Sequence, residues 1–204
     1  MASLSQENER FNLMQLRALR TQILEADWAP KFTETVTWHA KHWRMISRLE
    51  AVENPTRWLM ALHESSHTVC AAESPQIDIV FATINGRGDI GGRLHYNQPP
   101  DRDRMQHMIQ IAVGAMGENV WGETRCQLSG TDKQKLRQLI WELDPDATMD
   151  GFERSGLFRR ILQLAREFVA QREPSIKFLA TLLCRYGVLG GLDINKALSM
   201  EIIP

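Results

Sequence analysis

Apolar positions recur every three or four residues along most of this chain, and the pattern changes character only near residue 80. Leu13, Leu16, Leu19, Ile23 and Leu24 keep helical spacing, "DWAP" at 27–30 interrupts it, and a second helical run is expected from about Thr33 to Leu49. "ENPTRW" opens another helix, with Asn54 as N-cap and Pro55 at the first helical position, where its missing N–H costs nothing. That helix should end near Ser74 and Pro75. "IDIVFATI" at 77–84 is then rich in β-branched residues, and with "NGRGDIGG" and "RLHY" it reads as strand, glycine-rich turn and returning strand.

Further helices follow. Met105, Met108, Ile109, Ala112, Val113, Met116 and Val120 form one stripe, with Gly114 and Gly117 permitting close helix approach. Helices are also expected over about 131–143, 153–172 and 174–186. The order of helices, one hairpin and more helices, without repeats, predicts a predominantly α-helical α+β fold.

Composition narrows the function classes. The 204 residues are 43% apolar and 24% charged, ordinary for a globular chain, and the net charge of -1 gives no electrostatic footprint for nucleic acid or an anionic membrane surface. Neither partner is expected. The N-terminus lacks a signal-peptide core, no stretch approaches the roughly 20 apolar residues of a membrane span, and a cytoplasmic location is expected. Three widely spaced cysteines, Cys70, Cys126 and Cys184, suit free thiols better than a disulfide framework.

The chemistry is concentrated in "MALHESSHTVCAA", where His63, Glu64 and His67 fit H-E-x-x-H. On a helix, residues four apart share one face, so two imidazoles can reach one ion. A catalytic zinc takes three protein ligands and leaves a fourth position for water, and Glu64 is placed as general base and acid. Spacing leaves the third ligand open. The H-x-x-G-x-x-H continuation of a metzincin is missing, since Cys70 and Glu73 stand at its positions. Cys70 shares the histidine face but reads better as a buried thiol; Glu118 and Asp132 lie at or beside helix ends, and Ser129 with Asp132 also has capping-box spacing.

Other features read more simply. Gly86, Gly88 and Gly91 form G-x-G-x-x-G, but a strand follows instead of the helix that a dinucleotide site requires. His39 and His42 read as partly exposed residues near an aromatic contact, His95 and His107 as candidates to approach the site, and Asp101 and Asp103 as helix N-terminal caps.

"LHESSHTVCAA" is similar to the zinc helix of the FtsH family, the ATP-dependent zinc proteases. "ATINGRGDIGGRLHY" resembles that family's following strand and glycine turn, and "VGAMGENVWGETRCQLSGTDKQKL" its next helix and aspartate segment. "AREFVAQREPSIKFLATLLCRYGVLGGLDI" resembles its closing helices, so the likeness covers about residues 54–195. It implies an HExxH metallopeptidase fold over residues 51–204, preceded by a helical extension over 1–50. It also implies Zn2+ held by His63, His67 and Asp132, and an exposed strand edge beside the metal.

The G-x-x-x-x-G-K-S/T loop of an ATPase is missing, Ser65 and Ser66 replace small residues of the family motif, Cys70 replaces an aliphatic one, and Asn119 stands where the family has a second glutamate. The implied function is an ATP-independent metalloendopeptidase, able to form oligomers, that either cuts flexible or unfolded polypeptides by itself or else depends on a separate unfoldase or adaptor to deliver substrates. The alternative is a degenerate FtsH-like domain that keeps its metal and binds a protein partner.

Overall fold

The computed structural model describes residues 32–85, 92–100, 102–121, 128, 130–144 and 151–200. The expected first helix, the glycine turn at 86–91, Asp101, Cys126 and Ser129 lie outside them. Helix α1 spans Phe32–Glu53, α2 Pro55–Ala72, α3 Arg104–Trp121, α4 Gly130–Leu143, α5 Gly156–Gln171, α6 Glu173–Tyr186 and α7 Gly191–Leu198. Strands β1 (Asp78–Thr83), β2 (Arg93–Asn97) and β3 (Val188–Gly190) form one antiparallel sheet in the order β2-β1-β3. The fold is α+β and predominantly helical, and among the described residues no helix is long and apolar enough to cross a membrane.

Helix α2 is central, packing against α1, α3, α6 and β1. Its Trp58, Ala61, Leu62, Val69 and Ala71 are buried with Met108, Ala112 and Val113 of α3 and Phe178, Leu179 and Leu182 of α6. Two buried hydroxyls on this helix bond back one turn, Ser66 Oγ donating to Leu62 O (2.7 Å) and Thr68 Oγ1 to Glu64 O (2.6 Å), whereas the buried Ser65 Oγ has no partner among the described residues.

Helix α1 runs past its expected end because Ile46, Leu49 and Glu50 are buried. Its Val36, Ala40 and Trp43 belong to the same core as α2 and α6. Asn54 occupies the N-cap position, but its side chain makes no capping bond; its Nδ2 donates back to Glu50 Oε2 (3.0 Å). The two helices abut at this one residue, and the buried carboxylate of Glu50 takes the amide hydrogen. Asp103 does cap, accepting from the amide of Gln106 (2.9 Å), and Ser155 caps α5 by accepting from Phe158 N (3.0 Å). Helix α5 therefore begins three residues later than its pattern suggests, after a 3₁₀ turn at Phe152–Arg154.

The hairpin strands fall where the β-branched run and "RLHY" place them, with a register shift between Ile79 and Phe81. Strand β3 is an addition. Gly187 ends α6 in the left-handed region (φ 75°), and its carbonyl accepts from Ile84 N and Thr83 Oγ1, both at 2.9 Å. The chain then pairs Val188 with Thr83 and Gly190 with Phe81.

Candidate metal centre

The first turn of α4 faces the middle of α2, and there Asp132 meets the two motif histidines. His63 Nε2 and His67 Nε2 are 3.0 Å apart, and Asp132 Oδ2 lies 3.4 Å from the first and 3.8 Å from the second. Among the described residues these three form the group able to hold a metal ion. Their separations bracket the ~3.4 Å edge of a tetrahedron whose bonds are ~2.1 Å, the length of metal bonds to imidazole and carboxylate. Their side chains are only 14%, 12% and 15% exposed. Asp132 also gains from the amide-rich start of α4, where a negative charge is favoured.

Hydrogen bonding fixes which nitrogens are bare. The Nδ1 of His67 donates to the backbone carbonyl of Gln110 (2.6 Å), and the Nδ1 of His63 donates to Glu118 Oε1. A neutral imidazole that donates through Nδ1 has only a lone pair at Nε2. With both imidazoles neutral, two lone pairs and a carboxylate oxygen converge with no donor between them, an arrangement that a bound cation or a proton relieves. Burial opposes protonation of His63, but Asp132, Glu118 and Glu64 outweigh it and raise its pKa to about 10. The donor set, its spacing and the outer hydrogen bonds all suit a divalent ion.

Two glycines make room for this cluster. A Cβ on Gly114 of α3 would fall 2.7 Å from His63 Nε2 and closer still to His67 Nε2, so only glycine lets α3 pass beneath the imidazoles. A Cβ on Gly92, just before β2, would stand 2.6 Å from both Cγ and Oε1 of Glu64. Glu64 is buried against this strand, and burial raises its pKa while His67 and His63 oppose the rise. Histidines, Glu64 and Asp132 line a cleft of about 570 Å³ whose walls include Leu59, Met60, Leu94, Tyr96 and Ile111.

The remaining candidates separate cleanly. Cys70 is buried in the core with its thiol pushed up to about 12, chiefly by burial, and it stands outside the metal group. Glu118 is not one of the three converging ligands but the partner of His63, and the capping reading of Asp132 rests on Ser129, outside the described residues. His42 stacks on Trp38 (4.7 Å between ring centres) and donates to Trp38 O (2.8 Å). His39, expected to be partly exposed, is buried against Thr181 Oγ1 (3.0 Å) because α6 covers that face of α1. His95 is exposed and stacks on Phe81, and neither it nor His107 lines the cleft; burial, Arg102 and Lys135 hold His107 down at about 4. Sequence reasoning missed Gln110, whose contribution is a backbone carbonyl and carries no side-chain signal, and Gly92, whose role depends on a strand meeting α2. Comparison with models of known protein families finds no match, and comparison with curated proteins finds no similar sequence.

Proposed function

We propose that this chain is a zinc-dependent metalloendopeptidase that cuts flexible or unfolded polypeptides independently of ATP. The observation that carries the reading is the convergence of His63, His67 and Asp132 beside a buried glutamate in an open cleft. Zn2+ held by His63, His67 and Asp132 would supply Lewis acidity toward a scissile carbonyl and an activated water. Glu64 then accepts a proton on its carboxylate as the water attacks, and returns it to the departing amine nitrogen. Its raised pKa brings it nearer the range in which one group can do both. Glu118 and the Gln110 carbonyl hold the imidazoles in the tautomer that binds metal.

Strand β2 is an edge of the described sheet, and Gly92, Arg93, Leu94 and Tyr96 line the cleft. An extended substrate can add to that edge with its carbonyl presented to the metal. The likeness to the FtsH family supports the same assignment and the HExxH metallopeptidase fold. A cytoplasmic setting, a separate unfoldase or adaptor and an oligomeric assembly belong to this proposal and rest on that likeness and on composition.

The test pairs metal analysis with cleavage of an unfolded protein such as reduced casein. Purified protein should carry about one zinc per chain, wild type should cut, and Glu64→Gln should keep zinc while losing at least about a hundredfold in rate. The reading is falsified if Glu64→Gln cuts as fast as wild type. Zinc retained with no cleavage by wild type favours a metal-stabilised binding module.

A further inference from the structure

The charges lining the cleft are unevenly employed. The three carboxylates, Glu64, Glu118 and Asp132, all face the histidine cluster: Asp132 as its third acceptor, Glu118 on His63 Nδ1, and Glu64 beside them. The cations of the lining are Arg93 and Lys135, both exposed. Arg93 follows Gly92, the residue against Glu64, and Lys135 lies one turn after Asp132 on α4, so the two stand on different walls of one cleft. Neither has an ion pair among the described residues, although neighbouring cations do: Lys133 pairs with Glu153 (2.6 Å) and Arg104 with Glu142 (3.7 Å).

A third cation stands behind the wall. Arg102 is 8% exposed, its Nη1 donates to Gln98 Oε1 (2.8 Å), and its Nε and Nη2 have no hydrogen-bond partner. Its guanidinium lies 6.0 Å from the ring of Tyr96, a cleft residue. A buried cation with no ion pair among the described residues adds positive potential to the surface in front of it, and a cleft with low-dielectric walls focuses such a field.

We infer that the cleft selects extended peptide segments carrying Asp or Glu close to the bond held at the metal centre. This deepens the peptidase reading and rests on it for the word "bond"; the charge preference itself can be read by binding. Arg93 on the strand side and Lys135 on the α4 side each meet an acidic side chain on one flank of the segment. The apolar wall of Leu59, Met60, Leu94 and Ile111 takes the side chains between. Lysine or arginine at the same flanks meets two like charges.

The experiment uses three quenched fluorescent peptides of one sequence, with Glu, Gln or Lys at both positions flanking the central bond. Cleavage by zinc-loaded wild type is compared with that by Arg93→Gln/Lys135→Gln, whose zinc content and circular dichroism are measured in parallel. The same peptides are titrated onto zinc-loaded Glu64→Gln, with and without the two cation changes, and followed by fluorescence anisotropy. In low salt the Glu peptide should exceed the Gln peptide roughly tenfold in kcat/KM and in affinity, about threefold for each cation, as exposed ion pairs allow. The Lys peptide should fall below both. The Glu-to-Gln ratio should drop to within about twofold in the double variant, and in 1 M salt, where screening acts over ~3 Å.

Equal cleavage and binding of the Glu and Gln peptides in low salt overturns the inference, as does a preference that survives in the double variant. Preferential binding of the Glu peptide with no peptide cut leaves the selectivity standing and removes the peptidase reading. Cleavage of all three peptides at one rate does the reverse.

Discussion

Each imidazole of the cluster commits its Nδ1 hydrogen to a protein acceptor, which makes Glu118 and the Gln110 carbonyl part of the candidate metal centre although neither is one of the three converging groups. Glu118→Gln keeps an acceptor for His63 but removes the charge, and zinc affinity should fall about 10- to 100-fold in competition with a chromophoric chelator. Asp132→Ala should lower affinity further. Loss of helix stability with zinc affinity unchanged would instead assign Asp132 to the start of α4 alone. Because a proton held by His63 must leave before an ion binds, the apparent zinc dissociation constant should fall by about tenfold per unit as pH rises from 6 to 8. A pH-independent constant would show that the cluster holds no proton. Of this site the sequence displayed the two histidines and Glu64, because their spacing is meaningful on any helix. Asp132 needed a resemblance, and Glu118 was legible as an acid at a helix end but not as the partner of one nitrogen.

At the scale of elements, the join between α1 and α6 carries a pH response. Thr181 Oγ1 donates to Phe178 O (2.7 Å), so it accepts from His39 Nδ1, and His39 stays neutral with a pKa lowered to about 3 by burial, Arg185 and His42. The unfolded chain binds a proton at this residue below about pH 6.5 and the folded chain does not. Stability is therefore fully present above pH 6.5 and declines toward pH 3, by a loss on the order of a few kcal/mol. His39→Asn should flatten urea-denaturation midpoints measured between pH 4 and 7, and an unchanged slope would place the acid sensitivity elsewhere.

The return of the chain beyond α6 is a second joint, since Gly187 holds positive φ and a Cβ there would stand 2.6 Å from Asn85 Oδ1. Gly187→Ala should cost roughly 1–2 kcal/mol by the same measurement. The motif helix was readable because its 3.6-residue period persists over enough residues to show, and the hairpin because a β-branched run and a glycine-rich turn mark it. Strand β3 was not: three residues between glycines have no period, and only pairing with β1 makes them a strand. Helix α1 overran its expected end because burial of Glu50, bonded to Asn54, is invisible to an apolar-stripe argument.

Over the whole molecule, the same helix that carries both histidines is the one around which α1, α3, α6 and β1 pack. His63, His67 and Asp132 are largely covered and the cleft is about 570 Å³, room for an extended segment but not for a folded domain. Native globular proteins should survive incubation that degrades their reduced or denatured forms, as gel analysis over time would show. Equal rates on both forms would contradict an entry limited to extended chain. The converging acceptors have a further consequence through their position on this central helix. An ion that binds only the folded chain adds RT ln(1 + [M]/Kd) to its stability, about 1.4 kcal/mol for every tenfold rise in free metal above Kd. Thermal midpoints should therefore climb with the logarithm of free zinc. In a cell, the abundance of this protein would then follow metal supply without any dedicated sensor, the helix itself acting as the gauge.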